Sequence, residues 1–252
     1  MRLKGRTALI SGAGRNCGKA IALTFAREGA DLILVARTGD EVRQVARECE
    51  GLGVQALPVT ANVGNHDEVN RAVRLGLERF GKVDVLASVA AIRPHRPLGE
   101  YSYDEWQQVF GVNLHATFYL AKALAPGMIE RKNGSIIALG GMVSLTALRP
   151  HTAAVVASKH GLYGLIKSLA LDLGPHGVRA NLIAVGSIGT ERRNLEWYPP
   201  GENPHTSNEH VNTPLRRGGT TQEIANVALF LASDESSYIT GDRISCTGGR
   251  YM

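Results

Sequence analysis

Apolar runs of strand length recur along this chain, and stretches whose apolar residues fall at helical spacing separate them. The runs are RTALIS (6–11), ADLILVA (30–36), GVQALPVTANV (53–63), KVDVLASVA (82–90), GSIIALGG (134–141), VRANLIAVG (178–186) and DRISCTGG (242–249). Most are apolar nearly throughout instead of alternating, which is the pattern of strands buried on both faces. Between them the periodicity predicts helices near 18–28, over 40–50 and 66–80, in a longer region before 134, and over 152–173 and 222–232. Val69, Val73, Leu77 and Phe80 are expected on one face of the third, and Ile224, Val227, Ala228 and Leu231 on one face of the last. Strand and helix in alternation dictate an α/β fold: a single Rossmann-type, doubly wound parallel sheet with helices on both faces. Residues 1–252 read as one domain, with no internal repeat and no linker.

One segment breaks the rhythm. Residues 187–216 are long, polar and proline-bearing, and they follow a strand, at the carboxyl edge where such sheets bind ligands. A substrate lid is expected there. Composition narrows the setting. At 252 residues, 44% hydrophobic and 20% charged, the chain suits a soluble domain with a sizeable core. Its net charge of +5 is spread without blocks of one sign, which argues against nucleic acid and for a basic site facing an anionic small molecule. Cys17, Cys49 and Cys246 are widely spaced and odd in number, so neither a disulfide framework nor a metal site is expected, and a reducing cytoplasm is. Cys49 completes an apolar stripe with Val42, Val45 and Ala46 and reads as core. No secretory leader and no membrane span are expected.

The first strand runs into a helix through ALISGAGRNCGKAIA, with Gly12, Gly14 and Gly18 in the turn. Glycines placed so let the backbone approach a pyrophosphate, which then sits on the free N–H groups and positive dipole of the helix N-terminus. The second strand ends in Ala36 and Arg37, with Arg15 in the glycine turn. Two guanidiniums, with no carboxylate at that strand end, suit a 2′-phosphate and so favour NADP(H) over NAD(H).

These residues, together with Asn113, Lys159 and the ending PLRRGGTTQEIANVALFLASDESSYITGDRISCTGG, resemble the short-chain dehydrogenase/reductase family from Arg6 to Gly249. The resemblance implies an NAD(P)(H)-dependent oxidoreductase that interconverts alcohols and carbonyls, as a homodimer or homotetramer. It implies a cofactor site of Ser11, Gly12, Gly14, Arg15, Asn16, Gly18, Arg37, Asn62, Val63, Ala90, Lys159, Gly186, Ile188 and Thr190. Lys159 matches the family's lysine, which lowers a tyrosine pKa and holds the ribose. Asn113 matches an asparagine that supports a water relay.

The chain departs from the family at the chemistry end. Val155 occupies the tyrosine position, and Gly141 or Met142 the serine position. Asn16 replaces the middle glycine of the turn, Ser88 to Ala91 replace an N-N-A-G motif, and Val185-Gly186 replaces P-G. Replacement proton donors are sought among the segments expected to ring the site: Arg93, His95 and Arg96, then Arg149 and His151, then Arg192, Arg193, His205 and His210. His151 stands eight residues before Lys159 and is the first candidate acid; Ser144 is a candidate hydroxyl. Three functions stay open. One is an NADP(H)-dependent oxidoreductase with an altered proton donor, acting on a small anionic carbonyl or conjugated enoyl substrate. The second is a lyase or hydrolase reusing the fold, and the third a catalytically silent NADP(H)-binding protein.

Overall fold

A computed structural model describes residues 1–191, 194–198 and 213–250. All the expected strands and helices form. The strands are β1 (Thr7–Ser11), β2 (Asp31–Ala36), β3 (Ala56–Thr60), β4 (Val85–Ser88), β5 (Gly134–Leu139), β6 (Val178–Val185) and β7 (Arg243–Cys246). They pair in parallel throughout, in the order β3-β2-β1-β4-β5-β6-β7. The order reverses between β1 and β4, and such a switch point opens a crevice at the carboxyl ends of the strands. Ser11 is in register with Ser88 there.

The helices are α1 (Asn16–Arg27), α2 (Gly39–Glu50), α3 (His66–Phe80), α4 (Tyr103–Phe110), α5 (Ala116–Glu130), α6 (Ala153–Leu173) and α7 (Thr221–Ala232). On one side of the sheet α1, α2 and α7 bury Ile21, Phe25, Val42, Cys49, Ile224 and Leu231 against Ile10 and Leu34. On the other, α3, α5 and α6 bury Val69, Leu120, Leu162 and Ile166 against Leu9 and Ile33. Cys49 is core as expected, and burial pushes its thiol up to about 12, which leaves it inert. The longer helical region is α4 and α5, joined through one π turn over Gly111–His115. Inserted π turns of this kind often mark functional sites.

One periodicity reading is corrected. Leu77 is 37% exposed, and the inward stripe of α3 is Val69, Ala72, Val73 and Gly76. Ile33 is the reason. A Cβ built on Gly76 would lie within 2.3 Å of its Cδ1, so α3 seats on β2 only with a glycine at the contact.

Ala ordinarily outranks Gly in a helix by about 1 kcal/mol. Gly76→Ala is nonetheless expected to lower stability by about 1–3 kcal/mol through overpacking. Ile33→Val, which removes the offending methyl, should restore much of that loss in a urea-unfolding double-mutant cycle. A cycle with no coupling would show that the contact does not govern the seat of α3.

Candidate functional site

The turn after β1 fixes the floor of the crevice. Gly12 adopts φ 70°, and a Cβ on it would meet the Ala90 nitrogen at 2.8 Å; one on Gly18 would meet the Gly12 carbonyl oxygen at 2.0 Å. Both positions therefore require glycine. Ser11 is buried beneath the turn and does not face the crevice. Its Oγ instead accepts from the backbone N–H groups of Val89 (3.1 Å) and Ala90 (3.4 Å), which ties the end of β1 to the loop after β4.

From this floor a cleft of about 620 Å³ runs along the carboxyl edge. Of the expected cofactor residues, Gly12, Gly14, Arg15, Asn16, Gly18, Arg37, Asn62, Val63, Ala90, Lys159, Gly186, Ile188 and Thr190 all line it. Ser11 is the exception. Asn62 shapes its own loop, its Oδ1 accepting from Gly64 N at 3.1 Å and its N–H donating to Glu68 at 2.9 Å.

The first turn of α1 carries no side-chain cap and no acidic residue. By contrast α3, α4 and α7 are capped by Asn65, Ser102 and Thr220. An uncapped N-terminus opening on a cleft leaves N–H groups for an anion. Arg15 Nη1 is buried there without a hydrogen-bond acceptor, and the Glu191 carboxylate is 4.0 Å away. A glycine cradle, an open helix N-terminus and a buried guanidinium nitrogen without an acceptor fit a dinucleotide phosphate.

Two features at this end are not anticipated by sequence. Glu41, from the first turn of α2, also lines the cleft, its Oε2 3.1 Å from where a Cβ of Gly14 would stand. It lies beyond the strand end where an acidic residue is sought, and only the fold brings it back. Asn16, the residue in place of the middle glycine, takes φ 49°, a left-handed conformation that asparagine tolerates. Its side chain donates to Glu191 O (3.1 Å) and accepts from Glu191 N (3.0 Å), clasping the chain after β6 onto the turn.

At the other end of the cleft Val155 and Lys159 stand one turn apart on α6, facing Gly141 and Met142 after β5. Lys159 is 4% exposed and donates to Leu139 O at 2.6 Å. Burial first, and the Arg93 cation second, push its pKa down from 10.5 to about 7. Asn113 does not reach the cleft. Within the π turn it grips Ile92, accepting from its N–H (2.9 Å) and donating to its carbonyl (3.0 Å), and it also donates to Ser158 Oγ at 3.2 Å.

His151 is corrected as a cleft residue. It is exposed, in a left-handed conformation at φ 62°, and lines a separate shallow recess with Arg149 and His160. The turn before α6 points it away, its carbonyl accepting from Arg96 N at 2.8 Å. Among the described residues the histidine that lines the cleft is His95, which is buried with its ring edge-on to Tyr198 at 4.9 Å and its backbone N–H donating to Trp197 O at 2.7 Å. Arg93 and Arg149 line the cleft too. Ser144 is fully buried, its Oγ accepting from Gly141 N at 3.2 Å, so it braces the loop and is not among the cleft-lining residues. Arg192, Arg193, His205 and His210 lie outside the described residues. The described residues include no cluster that could hold a metal, and no helix among them is long and apolar enough to cross a membrane.

The lysine leaves a signature in stability. Its folded pKa lies below its unfolded value, so between about 7 and 10.5 the unfolded chain binds more protons and stability rises with pH. From pH 7 to pH 8.5 the parent should gain about 2 kcal/mol over Lys159→Met, at about 1.4 kcal/mol per pH unit. Urea unfolding of both proteins at the two pH values measures this; parallel pH profiles would mean that Lys159 stays charged on folding.

A family model described as enoyl-(acyl carrier protein) reductase matches residues 12–250. Over 249 residues the chain is 35% identical to the 3-oxoacyl-(acyl-carrier-protein) reductase FabG of Thermotoga maritima, covering 99% of each. Among solved structures it is similar to a short-chain type dehydrogenase/reductase from Mycobacterium marinum, at 30% identity and a TM-score of 0.91, covering 99% of this chain and 96% of that one. A blue fluorescent protein from a metagenomic library, solved in complex with NADPH, is 29% identical with a TM-score of 0.91 over 100% of both chains. Fold, cleft and kinship agree: the chain belongs to the short-chain dehydrogenase/reductase family of oxidoreductases.

Proposed function

We propose that this chain is an NADP(H)-dependent oxidoreductase whose proton donor differs from the family's tyrosine, acting on a small anionic carbonyl or conjugated enoyl substrate. The observation that carries the reading is the buried Arg15 Nη1 without an acceptor, beside Arg37 at the far end of the same cleft that holds Lys159. NADPH in the complex of the metagenomic relative supports the cofactor. The bound nicotinamide dinucleotide supplies or accepts a hydride. Gly12 and Gly18 admit its phosphates, Arg15 and Arg37 meet the 2′-phosphate, and Asn62 and Val63 flank the adenine.

Arg93 and Arg149 line the other end, which supports an anionic substrate. Asn113 acts there through Ile92, fixing the loop that carries Arg93 and His95. Residues 187–216 act as a lid over the substrate; of these, 192–193 and 199–212 lie outside the described residues. The described part touches both halves, through Asn16 with Glu191 and through His95 with Trp197. Three free cysteines support a reducing cytoplasm, and exposed Phe118 on α5 and Leu171 on α6 support a homodimer or homotetramer.

Calorimetric titration is expected to show NADPH bound more tightly than NADH. Removing one charge-assisted contact in Arg37→Ala should weaken NADPH about 10- to 100-fold while leaving NADH nearly unchanged. Glu41→Gln, which takes a carboxylate away from the phosphate, should tighten NADPH. Equal affinity for the two nucleotides, or loss of both in Arg37→Ala, would overturn the assignment.

A further inference from the structure

Lys159 presents an unusual combination: a primary amine in the wall of a cleft, buried, with its ammonium bonded to a backbone carbonyl and not to a carboxylate. Its Nζ donates to Leu139 O, and the charged group that acts on it is another cation, Arg93, from the loop after β4. Its hydrogen-bond partner from another element, the Leu139 carbonyl at the end of β5, is neutral. An isolated buried ammonium costs several kcal/mol, so the amine sheds its proton near neutral pH. A lysine desolvated next to a second cation is a general recipe for a nucleophile.

The space around it is as informative. Val155 lies one turn earlier on the same face of α6, and residues four apart on a helix are neighbours. Both line the cleft, and valine leaves more room beside the lysine than a hydroxyl-bearing ring would. Gly141, which also lines the cleft, carries no side chain, and a Cβ there would meet Val143 only at van der Waals distance, 3.5 Å. The adjacent hydroxyls on α6 and its cap are engaged with backbone carbonyls, Ser158 with Val155 at 3.0 Å and Thr152 with Arg149 at 2.9 Å.

We propose that Lys159 is a nucleophilic amine that captures the carbonyl carbon of a small aldehyde or ketone as a covalent iminium. The C–N bond forms as the C–O bond breaks. One amine proton and one proton from solvent leave with the oxygen as water, and nothing is oxidised or reduced. Arg93, which lines the same cleft, supplies a cation for an anionic group of the captured molecule. The chemistry selects free aldehydes and ketones, because an amine attacking a thioester would end as a stable amide.

Capture also answers how the site works without an acid at the carbonyl oxygen. That oxygen has left, and the positive nitrogen withdraws electrons in its place. Where a carbon–carbon double bond is conjugated to the iminium, hydride addition at the far carbon gives an enamine. Water protonates its α-carbon, and hydrolysis returns the saturated carbonyl compound and the free amine. This second part rests on the NADP(H) reading above; the capture does not.

The test uses the purified full chain without added nucleotide, with pyruvate as probe and cyanoborohydride as trap at pH 7, followed by peptide mass mapping. The Lys159 peptide is expected to gain the mass of pyruvate less one oxygen, about ten-fold or more faster than exposed lysines such as Lys4, since those remain almost wholly protonated at that pH. Val155→Tyr should cut trapping at Lys159 about ten-fold or more without altering the exposed lysines, as expected when a nucleophile loses access. Arg93→Gln, at an exposed position, should slow it several-fold by letting the amine reprotonate. Trapping at Lys159 no faster than at exposed lysines overturns the proposal, as does trapping that ignores both substitutions. NADPH binding without trapping would remove the capture alone, whereas trapping without NADPH binding would keep it and remove the hydride step.

Discussion

Gly12 lies so close to Ala90 that a single added carbon would collide with the Ala90 backbone, and this approach organises the carboxyl edge of the sheet. The turn after β1 and the loop after β4 leave neighbouring strands on opposite sides of the switch point, so they diverge at once. Ser11 holds them together from below, its hydroxyl accepting two backbone N–H groups that no strand could satisfy. Gly18 packs on the Gly12 carbonyl and brings the first turn of α1 down onto the same spot. With the turn pinned on both sides, the free N–H groups of α1 open into the crevice, and the cleft inherits its polarity from them.

The strands, helices and their order were legible because the physics behind them is local. Continuous apolar runs and helical spacing report burial directly. The glycine turn was legible for a related reason. Glycines clustered between a strand and a helix mark a backbone that must turn tightly or admit a close neighbour, and chain order alone places Arg15 and Arg37 beside them. What sequence could not resolve were contacts set by three-dimensional neighbours. Leu77 looked like an inward residue until Ile33 claimed the space beside Gly76. Glu41 enters the cleft from the far side of the β2–α2 turn, where a search confined to the strand end does not look. His151 sits near Lys159 in the chain, but a left-handed turn sends it to the outer surface, while His95, from another loop, takes the place inside.

A second pattern concerns how polar side chains are used. Ser11, Asn113, Ser144 and Ser158 are all buried, and each bonds backbone or another buried side chain instead of facing the cleft. Asn113 shows why such a residue is easily read as catalytic. Its amide offers one donor and one acceptor in the geometry of a peptide, so it pairs with Ile92 as a strand would. Removing it would leave a buried N–H and a buried carbonyl unsatisfied, at a cost of about 1–3 kcal/mol for each. The resemblance to the family marks the position, and the structure sets the side chain against Ile92 and Ser158, away from the cleft lining. With these groups committed to scaffolding, Lys159 stands out among the described residues as a buried cleft group that burial pushes toward its neutral form near pH 7.

The described parts of the chain that follows β6 bond to both ends of the cleft. Ser187 and Gly189 exchange backbone bonds with Gly219, which closes the base of the excursion. Just beyond, the Asn16 amide clasps both backbone groups of Glu191, so a position that ordinarily only makes room for a phosphate here also makes a bond. A few residues on, Trp197 and Glu196 accept from His95 N and the Arg96 guanidinium at the substrate end. The strap therefore bears on the phosphate turn at one point and on the loop after β4 at the other, and those two are already joined by Ser11. Asn16 thus takes up a left-handed backbone at the turn and in the same place ties the backbone of residue 191 down onto it.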